Sequence, residues 1–211
     1  MTDLRRLWPD LLADNTEIYD RLVAAYGEPH RGYHNLQHLQ EVLEHVDAIL
    51  GAGHASDIQG VDRDVVVLAA WFHDAVYEGS EDEERSAVLA ERELATVDVP
   101  PLLVEEVARL VRLTAGHRPA PDDRAGQVLC DADLAILAAD EDRYAEYTEG
   151  VRREYAHVPD AEFRAGRAGV LRDLMESTPL FSSRYGQEHW EERARSNVER
   201  ELADLDPTRS P

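Results

Sequence analysis

Thirteen nearly unbroken apolar residues, VVVLAAWFHDAVY from Val65 to Tyr77, enclose an adjacent histidine and aspartate, His73 and Asp74. The stretch is long for a strand despite its valines, so it reads as a helix buried on all sides, with Asp62 or Asp64 able to cap its start. An isolated charge in such surroundings costs several kcal/mol, and a carboxylate placed there is expected to be paired or to bind a metal. A second apolar segment, Val128 to Ala139, raises the same question through Asp131 and Asp133. A third stretch, GYHNLQHLQEVLEHV from Gly32 to Val46, sets His34 and His38 four residues apart near a helix start.

The rest of the chain repeats the helical pattern. A first amphipathic helix is expected over Thr16 to Ala25, ended by GEPHRG. Leu36, Leu39, Leu43, Val46 and Leu50 recur at intervals of three and four, marking a helix that Asn35 could cap. GAGHASDIQG, residues 51–60, reads as a loop. Further helices are expected from Glu81 to Thr96, after Pro100 and Pro101, around Tyr144 to Tyr155, around Val170 to Met175, and from Gln187 to Leu205. Tyr144, Tyr147 and Tyr155 at helical spacing read as core. With no repeat and no long linker, the expectation is an all-α chain forming one domain over residues 1–211.

Composition narrows the chemistry. All 22 basic residues are arginine, which removes Schiff-base, phosphate-loop and serine–lysine mechanisms. The single cysteine, Cys130, allows neither an intrachain disulfide nor an all-thiolate zinc site. A formal net charge of −22 disfavours nucleic-acid polymers and anionic membranes, and favours a bound divalent cation. The start, MTDLRRLWPDLLADN, offers acids and a proline where a signal peptide needs an apolar run, and no apolar run reaches membrane-spanning length. A cytoplasmic protein is the expectation.

Geometry suggests convergence. His34 and His38 share a helix face if the helix reaches back to Tyr33. Asp131 and Asp133 differ by roughly 200° around a helix axis and cannot both face one site, so one of them is expected to be structural. His30, His45, His54, His157 and His189 fall in no motif.

In this order HNLQH, WFHDAVY and DADLAIL resemble the HD superfamily of metal-dependent phosphohydrolases, and with EERSA they are similar to a bacterial group of predicted HD phosphohydrolases. YHNLQH is also similar to a stretch of cyclic-nucleotide phosphodiesterases, in which the first histidine donates a proton and the second binds metal. The resemblance spans about Arg31 to Tyr155. It implies a compact HD-type helical bundle, with a motif core at 31–155 and C-terminal helices at 160–205 packed on it.

Carried over, the resemblance assigns His38, His73, Asp74 and Asp133 as metal ligands. Asp133 is preferred to Asp131 because the family ligand usually follows alanine and precedes a leucine or a basic residue. His34 is implied as the proton donor, and Asp74 also belongs to the reacting centre. Glu84 and Arg85 in EERSA would be a supporting carboxylate and a phosphate-facing guanidinium. His117, Arg118 and Arg153 are candidates for substrate contact, His117 also for a second metal, although a single metal is expected.

Two imidazoles and two carboxylates suit one Mn²⁺, Fe²⁺, Ni²⁺, Co²⁺ or Zn²⁺, with Mg²⁺ also compatible. Such an ion acidifies bound water and polarises a phosphoryl oxygen. The expected function is hydrolysis of a phosphoester of a small molecule, a nucleotide first among them; a homodimer is allowed. The alternative is a non-catalytic metal-containing HD module that binds a nucleotide or a partner.

Overall fold

Short polar side chains start most of the helices. In the structure, a computed structural model that describes residues 4–52 and 58–206, α1 (Thr16–Tyr26) is capped by Asn15, whose side chain accepts from the Ile18 N–H. Asn35 caps α2 (Leu36–Gly51), accepting from the backbone of Gln37 and His38. Asp62 caps α3 (Arg63–Phe72) through Asp64 and Val65. α4 (Asp82–Leu94) follows a left-handed Glu81, and α5 (Pro101–Leu113) opens on a proline whose missing N–H would have had no partner there. α6 (Arg124–Leu134) is capped by Asp123, α7 (Glu141–Glu154) by Asp140, and α9 (Arg184–His189) by Ser183. α8 (Asp160–Glu176) follows Pro159, and α10 (Glu191–Leu205) closes the described chain. Capping of this kind satisfies backbone donors that a helix leaves unpaired, at about 1 kcal/mol per cap.

The described residues form an all-helical fold with no strand. Among them, no helix is long and apolar enough to cross a membrane. α3 is the central rod: every residue from Val65 to Phe72 is buried, as its unbroken apolar sequence requires. α2, α5 and α6 pack around it, and α4 lies against α5. A second apolar cluster joins Tyr33, Ile136, Leu137 and Phe181 to the inner faces of α7, α8 and α10. α10 packs on the short 3₁₀ turn Ala135–Ala138 and on α8. The metal-candidate helices thus belong to one cluster, and a wall of α7 and α8 stands beside them.

Several boundaries differ from the expectations, each for a local reason. The apolar helix stops at Phe72 instead of running to Tyr77, and beyond its end the Asp74 and Ala75 carbonyls accept from the buried Arg31 guanidinium at 2.7 and 3.1 Å. α2 does not reach back to Tyr33, because the Asn35 cap starts it at Leu36. The helix expected over Val128 to Ala139 is instead the end of α6 followed by the 3₁₀ turn Ala135–Ala138, with Ala139 extended. The last expected helix is two, broken at Trp190. Most of the loop expected at 51–60, with His54, lies outside the described residues.

One contact positions the site. Gly32 and Gly150 approach so closely that a Cβ on Gly32 would overlap the Gly150 carbonyl, while one on Gly150 would sit 2.8 Å from the Gly32 oxygen. Only glycine permits this backbone approach. It docks α7 directly against the turn that carries Tyr33 and His34.

Candidate metal centre

Four side chains from three regions of the chain meet at one point. His38 comes from the first turn of α2, His73 and Asp74 from the turn that ends α3, and Asp133 from the last turn of α6. His38 Nε2 and His73 Nε2 lie 3.1 Å apart. Asp74 Oδ2 is 3.0 Å from His73 Nε2 and 3.3 Å from His38 Nε2. Asp133 Oδ1 is 3.2 Å from His38 Nε2 and 3.6 Å from His73 Nε2. Among the described residues, His38, His73 and Asp74 lie close enough together to hold one metal ion, and Asp133 meets the two histidines from outside that trio.

The donor set fits a divalent cation. His73 Nδ1 donates to the Ala70 carbonyl at 2.7 Å, so whenever the ring is neutral its lone pair is on Nε2, facing the cluster. That lone pair then faces two carboxylate oxygens and a second imidazole nitrogen. Acceptors converge in this way only around protons or a metal ion. Burial disfavours charge on both rings, yet the carboxylates of Asp133 and Asp74 raise the pKa values of His38 and His73. Burial likewise opposes ionisation of Asp74 and Asp133, but His73 and its neighbours hold both well below the usual carboxylate range. The charges are mutually dependent, as ligands of one cation are.

A supporting shell holds this geometry. Tyr26 is buried, and its Oη accepts from the Asp74 N–H at 3.2 Å. Arg31, with its side chain fully enclosed, donates to the carbonyls of His34, Asp74 and Ala75 and to Glu28. His117 Nε2 meets the other Asp133 oxygen, Oδ2, at 2.7 Å, and a backbone φ of 48° at His117 turns its ring inward from the end of α5. Left-handed backbone at a non-glycine residue is uncommon and often marks such a site.

His34 occupies a different position from the one its spacing predicts. It lies before the α2 cap, not on the helix, and a carboxylate from α7 holds it. Its Nδ1 is 2.8 Å from Glu154 Oε2, and Glu154 Oε1 accepts from the Tyr33 and His34 backbones at 2.7 and 2.9 Å. Tyr77 donates to Glu154 at 2.9 Å and stacks on the His34 ring, with centroids 4.3 Å apart. Burial works against the Glu154 charge, but His34 and the two N–H donors hold its carboxyl down at about 2. With Nδ1 committed to Glu154, the Nε2 of His34 is the nitrogen left for proton transfer.

Asp131 points elsewhere, as the 200° offset requires. Its two oxygens accept from the Ser182 and Ser183 N–H groups at 2.8 and 2.6 Å, before α9. Burial pushes its carboxyl up to about 6 against those donors. Glu84 and Arg85 lie outside the cluster, both exposed: Glu84 pairs with Arg112, and Arg85 with Glu78 and Asp82. Arg153 donates to the Gly32 carbonyl at 3.2 Å from an exposed position. Arg118 is exposed on the wall of a cavity that borders the site.

That cavity, about 880 Å³, is lined by His34, His117 and Asp133 on one side and by α7 and α8 on the other. Tyr144 and Tyr147 are buried as expected, whereas Tyr155 is 44% exposed at the cavity wall.

Sequence reasoning passed over Tyr26, Arg31, Tyr77 and Glu154. Glu154 had a signal: it continues the stripe of Tyr147 and Val151 at helical spacing, an acid on an otherwise inward face. Arg31 had none, since its partners are backbone carbonyls of a distant turn. Comparison with known proteins finds no matching family model, curated protein or solved structure.

Proposed function

We propose that the chain is a metal-dependent phosphohydrolase acting on a small phosphorylated molecule. The observation that carries this reading is the convergence of two imidazole nitrogens and two carboxylates within 3.6 Å contacts, beside an open cavity and a carboxylate-held histidine. His38, His73, Asp74 and Asp133 would hold a divalent cation. Such an ion supplies an acidified water and polarises the phosphoryl oxygen.

The chain's own residues do the rest. Tyr26 and Arg31 fix the Asp74 backbone, so the carboxylate keeps its place when the ligand changes charge. His117 holds the second oxygen of Asp133, which leaves Oδ1 facing the histidines. Hydrolysis adds the elements of water across the P–O ester bond: hydroxide goes to phosphorus, and the leaving oxygen takes a proton. His34 Nε2 is positioned to give that proton, with Glu154 holding the imidazolium through Nδ1.

Metal-stripped protein reloaded with Mn²⁺, Co²⁺ or Ni²⁺ is expected to hydrolyse some member of a broad phosphoester panel. Asp74→Asn is expected to abolish both metal retention and turnover. Silence with every metal across the panel overturns the reading.

A second reading, a metal-containing module that binds a phosphorylated ligand or partner without turnover, is favoured by one observation. The arginine expected to face phosphate, Arg85, is tied to Glu78 and Asp82 away from the cluster. Tight ligand binding by calorimetry with no product formed selects this alternative.

A further inference from the structure

We propose that the cavity beside Asp133 and His117 takes an apolar, aromatic or branched body, so that the substrate is a single-phosphate ester of an apolar alcohol and not a nucleoside polyphosphate. This rests on the reading that the cluster holds a phosphate-binding metal.

Size and wall chemistry argue together. A volume of about 880 Å³ lies within the range of small-molecule sites. Away from the cluster, the wall is built from Tyr147, Val151, Tyr155, Phe163, Val170 and Leu174. Tyr155 and Val170 stand 44% and 54% exposed there, large apolar groups that a ligand would cover. Arg167 is spent: its guanidinium donates to Glu201 at 2.7 Å and to the Tyr147 hydroxyl at 2.6 Å. Arg118 is the other arginine of the lining, which also carries the carboxylates Glu83, Glu162 and Asp173. One exposed guanidinium among three acids does not compensate a chain of phosphates. An uncharged apolar body meets no such penalty and gains by burial.

Gly166 gives the means to test the cavity without disturbing the metal. It lines the cavity from α8, and a Cβ built there meets nothing within 4 Å. Gly166→Trp would therefore fill ligand space, and helix propensity favours the change. Inert phosphonates report binding apart from turnover. On Mn²⁺-loaded protein, calorimetry should find 1-naphthylmethylphosphonate bound at least about tenfold more tightly than methylphosphonate, from ring burial. It should also exceed a β,γ-methylene analogue of a nucleoside triphosphate. Gly166→Trp should abolish the naphthyl advantage and leave Mn²⁺ and methylphosphonate binding unchanged. Equal affinity for the two phosphonates, tightest binding of the triphosphate analogue, or an undiminished naphthyl advantage in Gly166→Trp overturns the proposal. Turnover separates the two readings. A silent hydrolysis panel with the naphthyl preference intact sinks the hydrolase and supports the pocket. Hydrolysis with no preference for apolar esters sinks the pocket alone.

Discussion

His34 Nδ1 and Glu154 Oε2 lie 2.8 Å apart, although 120 residues separate them along the chain. If the chain is the proposed hydrolase, the contact would make Glu154 a positioning residue that acts through an imidazole. Glu154→Gln is expected to lower kcat by roughly 10–100-fold with little change in KM, as for other groups that orient a reactive histidine. His34→Asn should lower it at least as far, and the double variant should be no worse than His34→Asn alone. Steady-state kinetics on the four proteins checks this. The Glu154 carboxyl lies at about 2 against an ordinary 4.5, so its contribution to stability is present above 4.5 and lost as pH falls towards 2. Glu154→Gln should flatten that part of an acid-unfolding curve.

The ion-free protein should weaken in mild alkali. Burial lowers His38 and His73, but the neighbouring carboxylates outweigh it and raise both above the ordinary 6.5. A raised histidine stabilises the fold below 6.5 and loses that contribution as pH climbs through the folded value. Asp74 and Asp133, both depressed, contribute above 3.8 and lose it only as pH falls towards their folded values. Tm of chelated protein is therefore expected to fall as pH rises past about 6.5. Added Mn²⁺ should restore more of it at alkaline than at mildly acid pH, by about 2.7 kcal/mol at a hundredfold excess over Kd. Calorimetry in buffers of different ionisation enthalpy should show proton release on metal binding.

Two aspartates in one helix should separate cleanly under mutation. Asp131→Ala removes the acceptor for two N–H groups, so a loss of about 2–4 kcal/mol in denaturant unfolding is expected, with metal content retained. Asp133→Ala should lose the metal and, with it, the stability that the depressed carboxyl lends the ion-free fold. Metal analysis and urea melts on the same preparations decide the matter.

Arg31 should matter to both fold and metal. Its enclosed guanidinium donates to the Asp74, Ala75 and His34 carbonyls, and Arg31→Met leaves all three without that donor. A loss of about 3 kcal/mol is expected, with weakened Mn²⁺ affinity. Arg31→Lys should rescue only part of each, because one ammonium cannot reproduce the fork. An unchanged Kd for Mn²⁺ in Arg31→Met would sever the link to the site.

Periodic features of the sequence translated well into structure. The stripe Leu36, Leu39, Leu43, Val46 gave α2, and the unbroken run from Val65 gave a helix buried on every side. The offset between Asp131 and Asp133 correctly required different surroundings for the two. Local periodicity does not encode where a helix yields to a tertiary competitor. The Asn35 cap starts α2 at Leu36, three residues past Tyr33, and α3 ends at Phe72, so neither His34 nor the His73–Asp74 pair sits on the regular helix assumed for it. His34 reaches the site through Glu154 instead. Arg85 and Glu84, read from a motif alone, found partners in the nearest surface charges, as the plentiful acids and arginines of this chain make easy.

The touching backbones at Gly32 and Gly150 carry a consequence for control of such a molecule. A single added methyl at either residue would wedge α7 outwards by a fraction of an ångström while most of the hydrophobic interior stayed intact. On the proposed reading, the His34–Glu154 pair would be disturbed before the rest of the fold. An alanine at either place is then expected to keep the metal and lower turnover about as far as Glu154→Gln does.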